Sequence, residues 1–124
     1  MIWKLTDDRP IWIQLVDQLT LSIVSGVYAS GAAVPTVRAL ASEAGVNPNT
    51  MQRALAELES RGLVETRRTA GRIVTEDQSL IHSVREELAF ARMDEFFASM
   101  RALGYTDKQI RELLAAWDKK EELV

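Results

Sequence analysis

Gly45-Val46-Asn47-Pro48-Asn49-Thr50-Met51-Gln52-Arg53-Ala54-Leu55 reads as a tight turn that opens a helix. Asn47 has the side chain of an N-cap, whose oxygen accepts from a first-turn amide. Pro48 follows at the first helical position, where its missing N–H costs nothing and its fixed φ suits the helix. Met51, Ala54, Leu55 and Leu58 recur at helical spacing and predict a buried stripe. Asn49, Gln52 and Arg53 fall on the other side, near the N-terminal end. A helix entering a DNA major groove meets base edges with that end, where Asn and Gln pair bidentately with adenine and Arg with guanine.

Upstream, Thr36 predicts the cap of a short helix over about residues 37–44, with Val37, Leu40 and Ala41 inward and Gly45 as the left-handed residue at its end. An earlier helix is expected over residues 10–25, with Pro10 in its first turn and Ile11, Leu15, Leu19, Ile23 and Val24 facing the core. Gly26 and Gly31 bracket a turn, and Ala33-Val34 reads as a very short strand. Downstream, the helix from Pro48 is expected to reach about Arg61 and to be closed by Gly62. Two strands follow, Leu63 to Arg67 or Arg68 and Arg72 to Thr75, joined as a hairpin by Thr69-Ala70-Gly71. Three helices and then a hairpin are the order of elements in a winged helix-turn-helix.

Beyond Glu76 the pattern becomes purely helical. A long helix is expected from Ser79 to Leu103, ended by Gly104, and a Thr-x-x-Gln capping box at Thr106-Asp107-Lys108-Gln109 starts the last one. Ile81, Val84, Leu88 and Ala91 mark one apolar line of the long helix; Phe90, Met93, Phe97 and Met100 mark a second. Ile110, Leu113, Leu114 and Trp117 line the last helix. Two helices cannot cover both lines within one chain. A second copy is therefore expected over Val84, Leu88, Phe90, Met93, Phe97, Met100, Leu114 and Trp117. The expected architecture is mainly α with a small β-hairpin. A winged helix-turn-helix DNA-binding domain occupies residues 1–76, and a short helical dimerisation or effector region occupies residues 77–124.

The net charge of −3 argues against a nucleic-acid partner until its distribution is seen. Residues 1–76 hold eight bases and eight acids, so the whole deficit lies in residues 77–124. Phosphate binding depends on local potential, and net charge is a poor guide to it. With no cysteine there is neither a disulfide framework nor a thiolate metal site. No apolar run is long enough to span a membrane, and the first residues lack the regions of a signal peptide, so a cytoplasmic protein is expected.

Five stretches together resemble the GntR family of bacterial transcription regulators. Pro35-Thr36-Val37-Arg38-Ala39-Leu40-Ala41 stands for the family's Pro-Ser-x-Arg-x-Leu-Ala run. Gly45-Val46 and Thr50-Met51-Gln52-Arg53-Ala54-Leu55 stand for its Gly-Val turn and Thr-Val-x-x-Ala-Leu. Arg9-Pro10-Ile11-Trp12-Ile13-Gln14-Leu15 and Ser25-Gly26-Val27-Tyr28 match its first helix. Asn47-Pro48-Asn49-Thr50, followed by Gln52-Arg53-Ala54, is similar to the YtrA-type subfamily, as is the short two-helix tail. The chain departs from the family at the wing tip, where Thr69-Ala70-Gly71-Arg72 replaces Gly-x-Gly-Thr, and at Val34, where Leu is usual.

The resemblance implies a homodimeric, sequence-specific regulator of double-stranded DNA, a repressor on an inverted-repeat operator, often of its own operon together with a transporter. It implies DNA contact by Thr36, Arg38, Asn47, Asn49, Thr50, Gln52 and Arg53, with Gln52 and Arg53 foremost for base edges. In the wing it implies phosphate or minor-groove contact by Arg67, Arg68, Gly71 and Arg72. Plainer roles stand beside these. Thr36 and Thr50 serve their helix caps, Arg38 pairs with Glu43 or another acid, and the wing arginines solubilise a hairpin. His82 has only Glu86, at i+4, as an acid at a suitable helical spacing, which is no metal site. No nucleophile–base pair, phosphate-binding glycine loop or carboxylate pair points to an enzyme, and no cofactor is implied. Two alternatives to a DNA-reading regulator are a winged-helix module that docks on protein and a small-molecule sensor with secondary DNA contact. An effector is left unnamed by the sequence.

Overall fold

The computed structural model describes residues 2–122, with side chains through residue 120. The order of elements is α1 (Ile11–Val24), α2 (Val37–Ala44), α3 (Pro48–Ser60), β1 (Val64–Arg67), β2 (Gly71–Val74), α4 (Gln78–Ala102) and α5 (Asp107–Glu122). Two compact units divide the chain, one ending at Arg85 and one beginning at Glu86.

In the first unit α3 packs against α1, α2 and β1. Its stripe of Met51, Ala54, Leu55 and Leu58 is buried, together with Leu15, Leu19 and Ile23 of α1 and Leu40 of α2. A fully buried Leu or Met contributes about 1.5–3 kcal/mol relative to exposure, so this cluster holds the helices together. The α2–α3 turn is fixed by backbone chemistry. Gly45 adopts φ 70°, and Val46 N–H donates to Ala41 O at 3.0 Å. That bond, from the residue after the left-handed position back to the last turn, closes a Schellman ending.

Pro10 lies just outside α1 instead of in its first turn, because its ψ of 136° is not helical. Residues ahead of α1 are strapped to it by Gln14 and Gln18. Gln14 Oε1 accepts from Thr6 N at 2.8 Å, and its Nε2 donates to Thr6 O at 2.8 Å and Arg9 O at 2.7 Å. Gln18 makes the same two-way contact with the Lys4 backbone, at 3.0 and 2.6 Å. The spacing follows from geometry. Four residues of helix rise about 6 Å, and two residues of extended chain advance roughly 6.6 Å. Leu15, Leu19, Ile23 and Val24 of the expected stripe are buried and Ile11 half-buried; Gln14, Thr20 and Ser22 are buried too, Thr20 and Ser22 by donating to the carbonyls of Val16 and Gln18.

The hairpin pairs Val64 with Val74, Glu65 with Ile73, Thr66 with Arg72 and Arg67 with Gly71. Its loop is therefore Arg68-Thr69-Ala70, one residue earlier than the sequence suggested, and Gly71 belongs to β2. The short strand expected at Ala33-Val34 appears as a single bridge from Ala33 to Ile73 on the outer edge of β2, secured by Val34 N to Arg72 O at 2.9 Å. Asp77 caps α4 by accepting from Leu80 N at 3.1 Å. Ile81 is buried, and Arg85 donates Nε and Nη2 to Val24 O at 2.9 and 2.8 Å. A cation there also complements the C-terminal end of the α1 dipole.

In the second unit both halves of the capping box form. Thr106 N donates to Gln109 Oε1 at 2.9 Å and Gln109 N to Thr106 Oγ1 at 3.2 Å. Arg101 grips Asp107 bidentately at 2.6 and 2.9 Å. Ile110 is the buried apolar residue of this unit among the described ones, while Phe90 is 57% and Trp117 60% exposed. Phe96, Met100, Ile110, Leu113, Leu114 and Trp117 line an open apolar cleft of about 260 Å³. Among the described residues no helix is long and apolar enough to cross a membrane.

Candidate nucleic-acid interface

α3 presents its polar end because its caps and core leave no other arrangement. Asn47 Oδ1 accepts from Asn49 N at 2.8 Å, which occupies the Asn47 side chain with the helix start. Pro48 stands at the start of the helix, Thr50 is half-buried, and Asn49, Gln52 and Arg53 are exposed. Glu57, one turn beyond Arg53, is engaged by Arg61 at 3.0 Å. Arg53 instead lays its guanidinium over the Trp12 ring, 4.0 Å from the centroid. Nothing local in the sequence links Trp12 to a residue 41 positions on, so the pattern around α3 does not point to it.

Arg38 is exposed in the first turn of α2. Thr36 caps that helix, its Oγ1 accepting from Ala39 N at 3.1 Å. The N-terminus of α2 and the wing tip face each other across a cleft of about 310 Å³, lined by Val34, Pro35, Thr36, Val37, Ala70, Gly71 and Arg72. Arg72 lines this cleft, and its Nε is buried with no acceptor among the described residues. A donor in that position costs free energy until something accepts from it. The other wing arginines differ. Arg67 is held by Glu65 at 3.0 Å, while Arg68 is exposed in the loop.

Val84 and Leu88 are half-buried, as are Phe97 and Met100. Phe90, Met93, Leu114 and Trp117 are exposed. His82 is exposed, and no group of three or more His, Asp or Glu is placed to hold a metal ion among the described residues.

Comparison with known proteins places this geometry. The family model for bacterial regulatory proteins of the gntR family matches residues 13–74, from α1 through the wing. An uncharacterised HTH-type transcriptional regulator of Bacillus subtilis, YhcF, is 34% identical over 84% of this chain and 86% of its own length. The HTH-type transcriptional repressor YtrA of the same organism is 30% identical over 86% of this chain and 85% of its own. A GntR family transcriptional regulator from Listeria monocytogenes superposes with a TM-score of 0.79 at 36% identity, covering 94% of this chain and 98% of that one. The match thus extends past the winged helix into the helical tail. With its helix-turn-helix, hairpin wing and two-helix tail, the chain belongs to the GntR family of DNA-binding transcription regulators, which are not enzymes.

Proposed function

We propose that the chain acts as a homodimeric, sequence-specific repressor that occupies a two-fold symmetric operator in the cytoplasm. One observation carries the reading: α3 buries Met51, Ala54, Leu55 and Leu58 while a fixed N-cap leaves Asn49, Gln52 and Arg53 exposed. In this reading Gln52 and Arg53 meet base edges, and Asn49 meets a base or a phosphate. Asn47 and Thr50 serve chiefly by fixing the start of α3. Arg38, Thr36 and the wing contact backbone and set register. Arg72 and the N-terminal amides of α2, on the two sides of that cleft, hold one phosphate between them.

Residues 1–76 serve as the DNA-binding domain and residues 77–124 as the dimerisation region, whose first turns lie within the first compact unit. The apolar side chains along α4 and α5 form the subunit contact, since Phe90, Met93, Leu114 and Trp117 are uncovered within one chain. Likeness to YtrA, described as a repressor, supports repression. The resemblance to the YtrA-type subfamily makes the chain's own operon, together with a transporter, the proposed target. An effector, where one acts, must favour one dimer geometry over another.

The test is capture of genomic fragments by the purified protein at physiological salt, with Gln52→Ala/Arg53→Ala as control. Enrichment of an inverted repeat by the native protein, lost in the double variant, is the expected outcome. Equal retention by both proteins, or none by either, would displace the reading in favour of protein docking or ligand sensing.

A further inference from the structure

We propose that Trp12 of α1 is a positioning residue for DNA reading, which holds the Arg53 guanidinium in the plane it needs at a base edge. The inference rests on the reading of α3 as the recognition helix. An arginine on a helix surface is a long, mobile side chain, and fixing it on binding costs conformational entropy. Here the guanidinium is already placed, 4.0 Å from the Trp12 centroid. A guanidinium that meets a ring through its face keeps its five N–H donors, which lie in its plane, open to other partners. Among the described residues no oxygen accepts from those donors. The stack thus removes freedom from Arg53 without occupying the groups that bidentate recognition of guanine requires.

The surroundings favour this arrangement. Glu57 is the acid best placed by helical spacing to capture Arg53, and it is bonded to Arg61. An Arg-then-Glu order one turn apart is also the weaker orientation for a helical pair. Trp12 is half-buried, and α1 packs against α3, so the ring is carried by a rigid element. The device needs α1 and α3 in their folded relation, so it exists before DNA arrives.

The stack itself is read by NMR in full-length protein without DNA. Arg53 side-chain protons should be displaced upfield by the ring, and the displacement should vanish in Trp12→Leu. Operator duplex is then selected from a randomised library by the native protein. Its dissociation constant is measured for native protein, Trp12→Leu, Trp12→Phe, Arg53→Ala and Trp12→Leu/Arg53→Ala, with the melting temperature of each. Trp12→Leu should weaken operator binding roughly three- to tenfold, the scale of ordering one long side chain on binding. Trp12→Phe should recover most of that loss, and the loss should be absent when Arg53 is already Ala. An equal loss with and without Arg53 would show that Trp12 only supports the fold and would overturn the proposal. So would an unshifted Arg53 resonance, or an unchanged affinity in Trp12→Leu. If the native protein selects no sequence, the recognition-helix reading fails and takes this proposal with it. If it selects one that Arg53→Ala binds equally well, DNA reading stands and the role of Trp12 falls.

Discussion

Gln14 shows how one polar side chain can organise a segment that has no secondary structure of its own. Buried on α1, it satisfies one amide and two carbonyls of the preceding chain. Replacing it by Leu would keep the volume and strand those groups. We expect Gln14→Leu to cost about 1–3 kcal/mol in denaturant unfolding, whereas Gln18→Leu, at the exposed end of the strap, should cost less. Asp107 makes a contribution that depends on pH. Its carboxyl lies below the ordinary value of 3.8, first because it accepts from Arg101, with slight burial opposing and the Arg101 and Arg111 charges adding. A carboxyl depressed in the folded state contributes stability above 3.8 that is lost as pH falls through the lower folded value. Asp107→Asn should therefore lower the melting temperature at pH 7, and the difference from native protein should close well below pH 3.8.

At the level of elements, the joint between α3 and β1 turns on Gly62. It adopts φ 80°, and a Cβ there would sit 3.3 Å from Leu80 Cδ2. Gly62→Ala is expected to destabilise by about 1–2 kcal/mol through the left-handed backbone, since the Leu80 tip can yield. Thermal unfolding followed by circular dichroism measures it. Joints of this kind were legible in the sequence because their signals are local. Thr36, Asn47-Pro48, Gly45 and the Thr106–Gln109 box each act within a few residues, and the helices they bound fall within a residue or two of expectation. The hairpin was legible for the same reason, and its loop slipped by one residue because Gly71 pairs with Arg67. What escaped were polar bonds across long separations. Arg85 reaches Val24 O, 61 residues away, and Trp12 meets Arg53. Periodicity assigns such residues to a face and cannot say what they meet there. The pairing of Arg67 with Glu65 was missed for another reason, since strand neighbours two apart share a face only once the strand is known.

At the scale of the whole molecule, charge and apolar surface divide the labour. The deficit of three charges lies in residues 77–124, and the exposed aromatic and Met side chains Phe90, Met93, Phe96 and Trp117 lie there too. A second copy of the chain is the proposed cover. Leu114→Asp/Trp117→Asp should convert a dimer into a monomer in sedimentation velocity, and should weaken operator binding more than any single wing arginine does. A variant that stays dimeric would move the subunit contact elsewhere. Hydroxyl-radical footprinting of the native protein on an enriched fragment tests the central claim most directly. Two protected half-sites related by two-fold symmetry, about one helical turn apart centre to centre and lost with Gln52→Ala/Arg53→Ala, are expected of a dimer reading DNA through α3. A single protected tract, or the same footprint from the double variant, would contradict it.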